Sequence, residues 1–185
     1  MEKKLPRNRL LSSLLVKASN PFTTMEQKLD IKRILMESVT MQGMNHIFLV
    51  KCHFDEKPLF HIDEKEALRQ AFMAYKENNI GAFYYLFLLL KDRHPSRARQ
   101  YLLLGCEYAD PKAYQALGTC YHDGVLFRKD IKKAYEYFTL SAKSGVKDGY
   151  FGMLLIASEM GDVELERRIY REAMHDGVVL PGVVE

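Results

Sequence analysis

The chain reads as all-α: an α-α superhelix, or solenoid, of about five antiparallel helical hairpins. Three observations predict this. The stretch from Pro111 to Gly145, PKAYQALGTCYHDGVLFRKDIKKAYEYFTLSAKSG, carries two helix-period apolar patterns on either side of a loop. Divergent copies of that unit lie before and after it. The composition is that of one globular domain or short solenoid, 185 residues of which 48% are hydrophobic and 28% charged.

The central unit justifies itself residue by residue. Ala113, Leu117, Cys120 and Tyr121 share one helix face. Gly118 inside that helix costs about 1 kcal/mol against alanine, so it predicts close approach of a neighbouring helix. Asp123 and Gly124 end the helix, the glycine as a left-handed cap. Asp130 is the N-cap of the second helix. Ala134, Tyr137, Phe138, Ser141 and Ala142 form that helix's inner face, and Gly145 closes it.

These residues resemble the Sel-one-like repeat, a relative of the tetratricopeptide repeat. The motif is carried here by Ala113, Leu117, Gly118, Tyr121, Gly124, Val125, Asp130, Lys133, Ala134, Tyr137, Phe138, Ser141, Ala142 and Gly145. The likeness is specific over residues 111–145 and weak elsewhere. It implies an α-solenoid used as an adaptor surface; it does not imply catalysis.

Self-similarity extends the unit in both directions. A shift of 67 residues lays Asp63 on Asp130, Ala67 on Ala134, Leu59 on Leu126, Phe60 on Phe127, Phe54 on Tyr121 and Val50 on Leu117. The segment Met44 to Phe54, strand-like in its IFLVKCHF spelling, is therefore predicted to be a first helix. Hairpins are expected over 44–78, 79–110, 111–146 and 147–177, with second-helix anchors at Ala67, Ala98, Ala134 and Glu166. Residues 1–43 are expected to form an atypical capping hairpin: Leu10, Leu11, Leu14 and Leu15 make one stripe, Asn20-Pro21 breaks it, and Thr24 caps the next helix. The basic, serine-bearing start also allows a poor signal peptide or an organelle presequence. The tail 178–185, VVLPGVVE, is expected to fold back on the last hairpin or to pair elsewhere. The longest apolar run, Ala82 to Leu90, is far short of the roughly 20 residues of a membrane span.

Charge argues against a nucleic-acid partner. The net charge is +3, and basic residues are mixed with acidic ones. Arg128, Lys129, Lys132 and Lys133 are the nearest thing to a patch, interrupted by Asp130, and read as a solvated helix start. Arg97 and Arg99, and Arg167 and Arg168, read as surface charges. Cys52, Cys106 and Cys120 are odd in number and lack framework spacing, which fits a reducing compartment. Cys106 and Cys120 fall on inner faces without a cationic setting. His46, Cys52, His53 and His61 crowd one region but match no metal-ligand spacing. His122-Asp123 could be a catalytic pair, yet it sits where a polar helix end is expected. No phosphate loop, serine elbow or paired-carboxylate motif is present, so no catalytic residue, cofactor or metal is predicted.

What remains is a surface. Aligning the first helices on Ala82, Ala113 and Gly149 gives three rows expected on the concave side: Tyr84, Gln115 and Phe151; Leu88, Thr119 and Leu155; Lys91, His122 and Ser158. From these, Tyr84, Leu88, Lys91, Gln115, Thr119, His122, Phe151 and Leu155 are the candidate partner-binding residues. The expected function is a non-enzymatic, cytoplasmic adaptor or scaffold that holds a protein or peptide, with neither nucleic acid nor a membrane span. Alternatives stay open: an organelle or envelope assembly factor with a targeting N-terminus, or a ligand-binding or enzymatic protein built on the scaffold. Homodimerisation through an open end or the tail is a further expectation.

Overall fold

The computed structural model describes residues 63–180, together with Thr24, Gln27, His46, Ile47 and Val50. Among the described residues lie seven helices and no strand: α1 Glu64–Lys76, α2 Gly81–Leu90, α3 Pro95–Glu107, α4 Pro111–Asp123, α5 Ile131–Lys143, α6 Lys147–Met160 and α7 Val163–His175. The chain divides into two units, Met1–Tyr85 and Leu86–Glu185, with the boundary inside α2. The remainder of the expected capping hairpin, Phe54, Leu59, Phe60, Cys52, His53, His61 and the tail beyond Leu180 lie outside the described residues.

Caps set the helix starts. Asp63, Asp130 and Asp162 each accept a hydrogen bond from the backbone N–H three residues on, at 3.0, 3.0 and 2.9 Å. Asp63 and Asp130 are thus equivalent, as the 67-residue shift requires. α3 replaces the cap with His94 and a proline at its first position. Thr24 and Gln27 form a reciprocal capping box, Thr24 N–H donating to Gln27 Oε1 and Gln27 N–H to Thr24 Oγ1.

In the first unit, His46, Ile47 and Val50 are helical, in the segment whose spelling is strand-like. His46 is buried: Nδ1 meets Gln70 Oε1 and Nε2 lies 3.3 Å from Glu77 Oε1. Gln70 in turn donates to Glu66 Oε1 at 2.6 Å. His46 is therefore a satisfied core polar group. Ala67, Ala71 and Ala74 are fully buried on α1.

In the second unit the first-helix register holds. Leu86, Leu117 and Met153 occupy equivalent, almost fully buried positions. α5 is wedged against α4 and α6. Ser141, at its far end, donates its hydroxyl to the Pro111 carbonyl at 3.0 Å, at the start of α4. Ala142 abuts Gly149, at the start of α6. α5 thus runs antiparallel to both. Between these contacts the Phe138 ring faces Gly118 of α4 and Gly152 of α6. The sequence signal at Gly118 has its cause here: a Cβ on it would lie 2.7 Å from that ring. Gly124 ends α4 with φ of +74°, a conformation costly for any residue with a Cβ.

The last helix departs from the expected phase. The anchor Glu166 is only half-buried, and α7 turns Leu165, Ile169 and Ala173 inward. Its buried stripe is rotated by about one residue relative to α1, α3 and α5. Val178 and Leu180 fold back on this hairpin. Val178 N–H donates to the Ala173 carbonyl at 2.8 Å, and Leu180 is buried in the α5–α6–α7 core.

Candidate partner-binding face

The face is built on α4 and α6. Two contacts fix these helices as parallel neighbours. Gly118 and Gly152 share the Phe138 ring, and further along both helices His122 meets Glu159. His122 Nε2 lies 3.1 Å from both Glu159 carboxylate oxygens, and Nδ1 lies 2.6 Å from Asp123 Oδ1. Of the candidate residues, His122 is thus the one closed to a partner: it is 8% exposed and both ring nitrogens are taken. It acts as a strut between adjacent helices. Neither ring nitrogen has a hydroxyl or thiol partner among the described residues.

Four other candidates stand on the same two helices as that strut. One turn before it on each helix stand Thr119, exposed, and Leu155, 48% exposed. A further turn back stand Gln115, half-buried, and Phe151. The Thr119 hydroxyl donates to the Gln115 carbonyl at 3.1 Å. Phe151 is half-buried at the core margin, with the Lys147 ammonium 5.7 Å above its ring. Leu88 on α2 is half-buried, and Lys91, just after that helix, is exposed. Lys91 is near enough to Cys120 for its charge to favour the thiolate there. Tyr84 belongs to the first unit, where it is half-buried with its ring 5.3 Å from that of Tyr85.

Glu159 is the residue that sequence reasoning missed. Its signal was present, because the shift that lays Ala113 on Gly149 also lays Asp123 on Glu159. α4 and α6 thus each carry an acid near the C-terminal end. That one hairpin's histidine reaches the next hairpin's acid follows only from the packing.

Two carboxylates face the His122 ring. The hydrogen bond that Asp123 accepts from the ring, and then those to Glu159, raise its pKa above the ordinary histidine value against the opposing effect of burial. A raised folded-state pKa contributes stability that is complete below about pH 6.5 and is lost as pH rises through the raised value. Urea unfolding at about pH 6 and pH 8.5 should therefore show a larger alkaline loss for the natural chain than for His122→Asn. Equal losses would remove the strut.

Both thiols are held away from the thiolate form. Burial, reinforced by Asp110, pushes Cys106 up to about 12. Burial and Asp123 push Cys120 up to about 11 despite Lys91. Among the described residues no group of three His, Cys, Asp or Glu side chains is arranged to hold a metal ion.

No protein-family model and no curated protein matches this sequence. Among solved structures, the chain is similar to a protective antigen of uropathogenic Escherichia coli strains displaying an SLR fold, the fold of Sel-one-like repeats. The TM-score is 0.59 at 20% sequence identity, over 79% of this chain and 33% of that one. The chain thus spans about a third of the length of the structure it matches. The fold is an all-α solenoid of Sel-one-like type. No helix among the described residues is long and apolar enough to cross a membrane.

Proposed function

We propose that the chain is a non-enzymatic interaction scaffold that holds a protein or peptide segment along the α4–α6 face. One observation carries the reading. Leu155 is an apolar side chain left 48% exposed beside Thr119, on helices already fixed to each other by His122 and Glu159. A face locked before binding needs little ordering when a partner arrives. Leu88 on α2 and Lys91 just after it are further candidates of this reading.

The test is affinity capture with the intact chain and with a Thr119→Arg, Leu155→Glu variant. Both positions are exposed, so helical circular dichroism and the urea midpoint should stay unchanged. A partner retained by the intact chain and reduced roughly tenfold or more by the folded variant supports the face. Equal capture places the binding elsewhere. If neither chain captures anything, self-association becomes the competing reading, measured by sedimentation.

A further inference from the structure

A second surface lies at the junction of α3, α4 and the α4–α5 loop. Arg99, from the preceding hairpin, joins Arg128, Lys129 and Lys133 around a depression of about 510 Å³. The sequence alone assigned Arg99 to the general surface. The fold instead stacks its guanidinium carbon 4.5 Å above the centre of the Phe127 ring. Phe127 packs on Tyr121 with ring centroids 5.0 Å apart. The Lys133 ammonium lies 5.3 Å over Tyr121. Four cations thus line a hollow that holds a single carboxylate, Asp130.

That carboxylate is already engaged. Asp130 Oδ1 accepts the backbone N–H of Lys133 as the α5 cap, and Oδ2 stands 4.0 Å from the Lys133 ammonium. Arg99 rests on an aromatic face, so its position is set by ring contact, and among the described residues no acid pairs with it. A stacked guanidinium keeps its in-plane N–H donors directed outward, the geometry that takes a carboxylate in a bidentate grip. The excess of three positive charges here equals the formal net charge of the whole chain, +3. It is gathered in one hollow and not drawn out as a track along a helix, which is the footprint a nucleic-acid backbone requires.

We propose that this hollow is a docking site for an acidic peptide segment, whose Asp or Glu carboxylates are taken by Arg99, Arg128 and Lys129. The inference goes beyond the α4–α6 face and shares no residue with it. A partner could engage both surfaces, and the two would then add as linked contacts.

The experiment uses the full chain and a short fluorescein-labelled peptide of alternating glutamate and glycine, read by anisotropy. Binding should weaken about tenfold or more when salt is raised from about 0.05 to 0.3 M. It should also weaken about tenfold for Arg99→Glu with Lys129→Glu, and by a smaller factor for the gentler Arg99→Gln with Lys129→Gln, both folded by circular dichroism. Leu155→Glu should leave it unchanged, so failure here and failure of the α4–α6 face are separable. The proposal is overturned if the glutamine version of the peptide binds equally, or if the folded variants bind the glutamate peptide as the natural chain does. Tighter binding of a single-stranded oligonucleotide, lost in the same variants, would also overturn it.

Discussion

Phe138→Ala should destabilise the protein by about 3 to 5 kcal/mol, the range for emptying a buried phenylalanine site. The upper part of that range is expected, because nothing can fill the gap. The ring is 3% exposed and lies against Gly118 and Gly152, neither of which has a side chain to collapse inward. A Cβ built on Gly152 would sit 2.5 Å from the ring's Cγ, so the phenyl group fills the room that side chains would otherwise take. In thermal unfolding this corresponds to a fall in Tm of about 10 °C or more. A double mutant makes the test sharper. Gly152→Ala alone should destabilise, whereas the same change added to Phe138→Ala should restore part of the loss. Additive losses would mean that ring and glycine are not one packing unit.

Gly149→Ala carries the second large effect, and its sign is the informative part. Inside an unconstrained helix, alanine is favoured over glycine by about 1 kcal/mol. Here the new Cβ would lie 2.6 Å from the Phe138 carbonyl oxygen and 2.9 Å from Ala142 Cα, both backbone atoms of α5. No rotamer change relieves that overlap, so α6 must move away from α5. We expect a net loss of about 2 to 3 kcal/mol in urea titration. Gly81→Ala is the control: its Cβ would meet Asn79 Oδ1 at 3.4 Å, an ordinary contact, and stability should change little. Neutral behaviour at Gly149 would mean that the two helices are not seated as closely as described.

The features legible in the sequence are those written within one helix or its caps. Asp63 and Asp130 could be matched because an N-cap acts on its own first turn. Gly118 announced a close neighbour because a helical glycine is costly without one. What could not be read depends on reach between hairpins. His122 aligned with Lys91 and Ser158 on an expected open row, yet its ring extends to Glu159 and closes the position. Arg99 looked solvated because the aromatic ring it covers lies 28 residues away, at Phe127, in another hairpin. The phase of α7 was misplaced at Glu166 because its inward stripe answers to α6 and to Leu180, not to the motif of the central unit. Local periodicity says that a helix has an inner face. Which residue leads that face is settled by what packs on it.

The two thiols on α3 and α4 give the protein a built-in clock. Cys106 and Cys120 stay protonated at neutral pH, and Cys120 is buried. An alkylating reagent therefore waits for a local opening around Cys120 before it reacts there. The labelling rate at Cys120 then measures how often that part of the array breathes, with the half-buried Cys106 as the internal reference. No probe has to be introduced, and a partner that clamps the array would be registered as a slower tick.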